Sequence, residues 1–442
     1  MDSSESHQKK TFGWRQAVGV IVVLAGLFGC YILIVNIAAS GFSRMMSTSA
    51  IIQSSVQPAD TAVRITPKDP EAHYTRALSL VNLGRLNEAV FELKQATELR
   101  PYHYYEWLDL GVTLDRIGDQ AGAISALQQS INLAPSFAQP RWQLGNLLYN
   151  QGKYDEAFVQ LRLAANSNPA LVAGMLELAW AAADGNVNDF EKLIAPQSAR
   201  RYLQLASFLA KRGKGNDAAR NVKKLTEAPR GYDLRLLHET ISTLLDAGQF
   251  TAAYAAWAVT HDDAIRGLSN PSAQILNGKF VQTILQDDPG FGWQLSFAPN
   301  VSASIDPSGP TKDTRSLCLL FNGESAPSYQ PIRQLVLLAP NTHYTLKFKA
   351  KSEQLVTGGP PIVVARSADT ESPRLLGQSE PLSPGTTAWA DYQLGFSTDE
   401  KTSAVIFGLQ RTPCNQSACP VFGKIWLSGF ALEGGSNLRV PR

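Results

Sequence analysis

A 34-residue beat constrains this chain more than any other feature. Leu110-Gly111, Gly118, Ala123, Leu127 and Pro135 recur one period later as Leu144-Gly145, Gly152, Ala157, Leu161 and Pro169. One period earlier the same slots hold Gly84, Ala89, Leu93 and Pro101. A fixed period of this length means stacked helical hairpins, each burying its apolar face only against its neighbours. Arrays of this kind bind other chains and seldom carry out chemistry.

Close packing explains the pattern. Ala89, Ala123 and Ala157 fall where paired helices cross, and a larger side chain would force them apart. Gly84, Gly118 and Gly152 suit the left-handed conformation that closes a first helix. Pro101, Pro135 and Pro169 stop the second helix. Full units are expected at about 70–103, 104–137 and 138–171, with a half-repeat cap over 59–65. The pattern degrades after 171, where Gly185 and residues 186–188 break one unit. It returns with Gly213 and Ala218, then with Gly248, Phe250, Ala253 and Trp257, for five or six hairpins in all.

These residues resemble the tetratricopeptide repeat family over residues 59–265, most closely in the segment Trp142 to Ala157. The resemblance implies a right-handed superhelix whose groove is lined by the first helix of each unit. Its groove positions fall on Tyr74, Leu78 and Asn82, then Tyr105, Val112 and Arg116, then Trp142, Asn146, Tyr149 and Asn150, and finally Lys211. Aromatic and amide side chains in such a row suit an extended peptide, because Asn can pair with backbone amides. The competing reading for Trp142 and Tyr149, and for the cluster Tyr102-His103-Tyr104-Tyr105, is packing between hairpins.

Gln16 to Ser43 carries no charged residue, and its densest part is Ala17 to Ala39. At 1.5 Å per residue, roughly 23 residues cover about 35 Å, enough for a bilayer core. Lys9, Lys10 and Arg15 precede the run, whereas only Arg44 follows closely. The positive-inside rule then places the N-terminus in the cytoplasm and the bulk outside, as in a single-pass protein of the bacterial inner membrane. A cleaved leader and a lipidated Cys30 in Leu27-Phe28-Gly29-Cys30 are the alternatives, and both also export the chain. The expected order is a cytoplasmic tail (1–15), a transmembrane helix (16–40), a Ser-rich stalk (41–58), the solenoid (59–267), a β-sandwich (268–436) and a tail (437–442).

After about residue 268 helical periodicity stops. From Thr342 to Lys351 the chain alternates, with Tyr344, Leu346, Phe348 and Ala350 on one face and Thr345, Lys347, Lys349 and Lys351 on the other. That is a half-buried antiparallel strand. Other strands are expected at 315–321, 332–338, 361–366, 389–397, 403–410 and 423–433, giving a sandwich of about eight strands. The fold class is therefore multi-domain α then β: one transmembrane helix, an α-solenoid and an antiparallel β-sandwich.

Asn277-Gly278-Lys279-Phe280, Gly290 to Trp293, Gln334, Trp389-x-x-Tyr392-x-x-x-Phe396 and Gly423-Lys-Ile-Trp426 resemble the galactose-binding-like jelly rolls that act as carbohydrate-binding modules, over residues 272–434. The resemblance implies that Asn277 to Phe280 is the opening strand. Positions that bind structural calcium in many relatives read Val281 and Ser428 here, which puts calcium in doubt. Sugars bind such modules by stacking on aromatic faces. Trp293, Tyr329, Trp389, Tyr392 and Trp426 are the candidates, each also open to a core role, with Tyr329 in a Pro-bounded loop the strongest. The lysine stripe reads as a solvated face, or as a surface for an acidic glycan. Cys414 and Cys419 can close a small disulfide ring outside the cytoplasm, and Cys318 reads as a buried small hydrophobe.

No catalytic signature is present. The sequence lacks G-x-S-x-G, a phosphate-cradling Gly loop and H-E-x-x-H, so neither a cofactor nor a metal is expected. Asp262-Asp263 and Asp287-Asp288 read as solvated turn residues. A net charge of +2 gives no basic field for nucleic acid. The expected function is a membrane-anchored, externally facing adaptor. It would hold a protein in its repeats and a glycan on its sandwich, in polysaccharide assembly or export by analogy with domain combinations. The alternatives are a glycan-active enzyme with its site in the sandwich, and a purely structural spacer.

Overall fold

The computed structural model describes residues 5–53, 55–261, 273–368, 373–414 and 419–437. These form fourteen α-helices followed by two antiparallel sheets. The chain divides into two compact units, Met1–Ala195 and Pro196–Arg442.

The first unit begins with α1, Glu5–Gln53, an unbroken helix of 49 residues. Its apolar stretch is long and apolar enough to cross a membrane, and its side chains stand exposed, with Val22 at 65% and Ile37 at 70%. The stretch expected as a polar stalk is helical to Gln53. Its serines are packing residues: Ser43, Ser47 and Ala50 are buried on one face of α1. There they meet α2, Val56–Ile65, through its buried Ala59 and Ala62. The Ser43 and Thr66 hydroxyls are 2.6 Å apart. The expected half-repeat cap is thus the second arm of a full hairpin, whose first arm is the end of α1.

Four hairpins follow in this unit: α3 (Pro70–Asn82) with α4 (Leu86–Leu99), α5 (Tyr104–Arg116) with α6 (Gln120–Leu133), α7 (Ala138–Asn150) with α8 (Tyr154–Ser167), and α9 (Val172–Ala182) with α10 (Val187–Ile194). Gly84, Gly118 and Gly152 take φ of +74°, +87° and +73°, as the turn after each first helix requires. Ala89, Ala123 and Ala157 are fully buried at the crossings. A Cβ on Gly145 would lie 2.7 Å from Leu161 Cγ, so that glycine seats the leucine of the partner helix. Residues 186–188 do not abolish their hairpin. The Asn186 side chain accepts the Asn188 and Asp189 N–H groups and starts a shortened α10.

The second unit opens with two more hairpins, α11 (Ala199–Lys211) with α12 (Gly215–Val222), and α13 (Tyr232–Asp246) with α14 (Phe250–Trp257). The sheets follow. One has the order β1 (Gln294–Leu295), β4 (Ile332–Leu337), β9 (Ala404–Arg411), β6 (Pro361–Ser367), β7 (Leu375–Gln378). The other has the order β2 (Val301–Asp306), β3 (Ser316–Glu324), β10 (Pro420–Asn437), β5 (Thr342–Thr357), β8 (Ala390–Ser397). Tyr344, Leu346, Phe348 and Ala350 of β5 are buried in the sandwich core. The segment Asn277 to Phe280 is a turn and not an opening strand. Asn277 and Phe280 take positive φ there, the Asn277 side chain closes the loop onto the backbone of Gln282, and a Cβ on Gly278 would strike the Phe430 carbonyl at 2.1 Å.

Candidate functional site

The first helices of the repeats carry the expected partner-binding residues. The Tyr74 hydroxyl, on α3, donates to Asp109 Oδ2, on α5, at 2.6 Å and ties two successive first helices together. Burial pushes the Tyr74 hydroxyl pKa up, with Asp109 adding to the effect. Burial also raises the Asp109 carboxyl, against the Tyr74 bond that holds it down. Asn82, Tyr105, Arg116 and Asn150 are exposed, and Asn146 is half-buried.

Trp142 and Tyr149 are committed to packing. A Cβ on Gly174, in α9, would meet the Trp142 ring at 3.2 Å. The Tyr149 ring lies 5.2 Å from Tyr154 and 6.4 Å from Phe158. Within the 102–105 cluster, Tyr104 packs on Phe137 at 4.8 Å, whereas Tyr102 is 87% exposed. Lys211 is exposed on α11, in the second unit.

The aromatic residues of the sandwich divide in the same way. Trp293 is buried between Phe280 and Phe430, with ring centres 5.4 and 5.0 Å away, so it presents no face to a ligand. The Tyr329 hydroxyl donates to the Ser296 carbonyl and its ring packs on the core. Tyr392 stacks on Phe348 at 5.5 Å. Trp426 is 7% exposed and donates its indole N–H to Asp306 Oδ2 at 2.9 Å. Asp306 is held below its usual carboxylate range by the Ser308 hydroxyl and N–H, and by Trp426. Trp389 is half-buried, with Lys351 Nζ 5.4 Å from its ring centre and 4.4 Å from that of Trp426.

Two lysines of the stripe are paired with acids across the sheet, while Lys351 lies over aromatic rings. Lys347 pairs with Glu433 at 2.7 Å and Lys349 with Asp391 at 2.5 Å. Cys414 and Cys419 form a disulfide, whereas Asn415 to Ala418 between them lie outside the described residues. Asp288 is no solvated turn residue: it accepts the Trp257 indole N–H at 2.8 Å and lies 3.4 Å from His261 Nε2. Asp262 and Asp263 lie outside the described residues.

Sequence reasoning missed two polar features of the first unit. The first is a buried network in which His73 Nδ1 and Glu92 Oε2 are 2.6 Å apart and Arg76 joins both Glu92 and Asp60. The Glu92 bond raises the His73 pKa. The second surrounds Arg100, whose guanidinium lies 3.4 Å from Glu71 and 3.1 Å from the fully buried Glu106. Burial pushes the Glu106 carboxyl up to about 7. Beside Arg100 is a cavity of about 360 Å³ reaching α1 at Arg44. Its residues come from α1, the start of α3 and the end of α4, so no local motif announces it.

Residues 70–103 match the tetratricopeptide repeat. The chain is 37% identical over 92 residues to a TPR repeat-containing protein of Pseudomonas aeruginosa, covering 21% of this chain and 38% of that protein. It is 32% identical over 183 residues to protein FlbA of Caulobacter vibrioides, covering 38% and 27%. A solved structure of Pseudomonas aeruginosa pilF is similar at 18% identity and a TM-score of 0.32, covering 43% of this chain and 91% of that one. The chain spans between a fifth and two fifths of the length of the curated relatives it matches. Residues 70–103 are thus matched as one tetratricopeptide repeat, and the helical hairpins that follow keep its period.

Proposed function

We propose that this chain is a membrane-anchored adaptor with its bulk outside the cytoplasm. It seats a protein or extended peptide on the first helices of its repeats and a glycan on its sandwich, in assembly or export of a bacterial envelope polysaccharide. The observation that carries the first half is the row of exposed polar side chains at matching positions of successive units, Asn82, Arg116 and Asn150, with exposed Tyr105 on the same first helix as Arg116. Amides and a guanidinium offer an extended peptide the hydrogen bonds it needs without a deep pocket. Asn146 lines the same helices, and Lys211, exposed on a first helix of the second unit, is a contact position of that unit taken by itself. The anchor reading is supported by the exposed apolar face of α1. The glycan reading is supported by Trp389, whose ring sits beside Lys351 on the outer side of the second sheet.

A photo-crosslinking residue placed at Asn82, Tyr105 or Arg116 in intact cells tests the groove, with Phe91 of α4 as a control exposed on a second helix. One discrete envelope-protein adduct from the first-helix positions and none from Phe91 is expected. Equal adducts from both surfaces would remove the groove assignment. Protease added to intact cells with an opened outer membrane should digest the region after Ser43, and protection of that region until lysis would place the bulk in the cytoplasm.

A second reading is favoured by the contact between the last hairpin and the sandwich. Trp257, Tyr254 and Phe291 pack together, with Trp257 bound to Asp288. In this reading the sandwich caps the helical array and binds no sugar. No retention of the full chain on a glycan array would support it, and retention that is lost when Trp389 becomes Ala would overturn it.

A further inference from the structure

The cavity beside Arg100 has the features of a built ligand site. Two of its lining residues, Ser47 of α1 and Thr75 of α3, are 4% and 0% exposed, yet neither hydroxyl has a hydrogen-bond partner among the described residues. Buried hydroxyls are almost always satisfied, so two orphans on one cavity wall point to an absent partner. Arg44, also in the wall, makes no ion pair among the described residues. Opposite in charge stand Asp69 and Glu71. Asp69 Oδ1 caps α3 by accepting the Glu71 N–H at 3.1 Å, and Glu71 only shares Arg100 with Glu106. The cavity therefore joins unspent donors with carboxylates that reject a bare anion.

Its depth is fixed by α1, which runs without a break from the apolar stretch into the cavity wall. If Ala17–Ala39 fills the hydrocarbon, Arg44 lies about 8 Å beyond its edge at 1.5 Å per residue. The headgroup layer is about 5–8 Å deep on each side. Arg44 then stands at the outer edge of that layer, within reach of lipid phosphates, and Ser47 lies about one helical turn further out, where a headgroup extending from its phosphate would meet it.

We infer that this cavity holds the phosphoethanolamine headgroup of a membrane lipid, its phosphate on Arg44 and the Ser47 and Thr75 hydroxyls and its ammonium on Asp69 and Glu71. A guanidinium and hydroxyl groups suit a phosphate. A primary ammonium donates hydrogen bonds to carboxylates, whereas the quaternary ammonium of choline has none to give. An anionic glycerol headgroup would meet Asp69 and Glu71 without a cation between them. The inference rests on the anchor reading above.

The full chain, purified in detergent and moved to nanodiscs of phosphatidylcholine and phosphatidylglycerol doped with phosphatidylethanolamine, is analysed by native mass spectrometry. Carbonate extraction of the source membranes is run first: release of the chain into the soluble fraction would sink the anchor reading by itself. With the chain integral, one retained phosphatidylethanolamine in preference to the other two lipids is expected. Arg44→Gln should lower its retention about tenfold, the weight of one charge-assisted hydrogen bond. Glu71→Gln should remove the preference over phosphatidylcholine, and Ser47→Ala, a small change on a helix, should weaken retention while the thermal midpoint holds. An integral chain that retains the three lipids in proportion to their abundance, or variants that retain as the wild type does, would overturn the inference. So would tight binding of soluble glycerophosphoethanolamine, read by phosphorus NMR, in a chain that keeps no lipid.

Discussion

Trp257 donates its indole N–H to Asp288 Oδ1 at 2.8 Å, and this bond fastens the last helix of the array to the loop that leads into the sandwich. The Trp257 ring is 1% exposed, with His261 stacked on it at 3.7 Å and Phe291 at 5.6 Å. A Cβ on Gly290 would approach the ring to 2.8 Å, so the loop backbone lies directly against it. Helix α14 and the sandwich are joined through a shared aromatic core.

That core predicts joint unfolding. Trp257→Ala should cost about 3–5 kcal/mol, and Asp288→Ala about 1–3 kcal/mol by leaving a buried N–H unpaired. In urea, far-ultraviolet circular dichroism and the near-ultraviolet signal of the sandwich aromatics should shift together in Trp257→Ala. A helical transition that moves while the sandwich signal stays in place would show that the two parts are uncoupled.

Glu106 predicts a pH dependence of opposite sign to the usual acid denaturation. Its carboxyl is raised by burial from 4.5 to about 7 in the folded chain. The folded state then holds the proton over a range where the unfolded state has lost it. The contribution to stability therefore falls as pH rises through that window, and the full cost of the buried charge is present above it. Glu106→Gln should stabilise the protein by about 1–3 kcal/mol at pH 8 and change little at pH 5. Thermal midpoints across that range test this, and equal effects of the substitution at both ends would refute it.

Legibility in the sequence followed the range of the interactions. The hairpins were readable because Gly118 and Ala123 act within one turn and one crossing, and each repeats every 34 residues. Strand β5 was readable because alternation fixes the buried face whatever the partner strand. Ser43 and Ser47 read as a stalk in sequence and are packing residues in the fold: small polar residues suit a linker and a close helix contact equally, and only the buried Ala59 and Ala62 opposite decide between them. Asn277 to Phe280 resembles a strand in sequence, but it is a turn packed against the Phe430 carbonyl, a contact far along the chain. Composition could not separate Trp293 from Trp389, because one faces Phe280 and the other Lys351. The charged cavity was invisible because Arg44, Glu71 and Arg100 are brought together only by folding.

Tyr74 and Asn82 lie on the same helix and should separate stability from binding. Tyr74→Phe deletes the bond to Asp109 and should cost about 1.5–3 kcal/mol, the range of a hydrogen bond to a charged group. Exposed Asn82→Ala should leave the thermal midpoint within about a degree and weaken partner crosslinking from Tyr105. Loss of crosslinking in Tyr74→Phe alone, with Asn82→Ala inert, would make the contact structural.

The outer face of the second sheet should ignore acidic glycans. Lys347 and Lys349 already pair with Glu433 and Asp391 across strands. Lys347→Ala with Lys349→Ala should therefore leave elution from a heparin column unchanged within a few tens of millimolar salt. Trp389→Ala should instead reduce retention on any neutral glycan that binds. A marked fall in heparin retention in the double lysine variant would show that the stripe is a working basic surface.

Arg411 and the Cys414–Cys419 disulfide should stabilise the sandwich as one unit. Arg411 is 3% exposed. Its Nε donates to the Gly359 carbonyl at 3.0 Å, and its Nη1 to the carbonyls of Ser325 and Cys419 at 2.9 and 2.8 Å. Its Nη2 reaches the Thr357 hydroxyl at 2.9 Å. One planar fork thus ties two segments, Ser325 and Thr357 to Gly359, to the disulfide ring, and Lys, with a single ammonium, cannot replace it. Arg411→Met should cost on the order of 3–5 kcal/mol because it strands several buried carbonyls. Reduction of the disulfide in the wild type should cost about 2 kcal/mol for so short a loop. The two effects share the Cys419 carbonyl, so they should not add: reductant should destabilise Arg411→Met by clearly less than it destabilises the wild type. Urea midpoints for both proteins with and without reductant complete the cycle, and strict additivity would show that the arginine and the ring hold the sandwich independently.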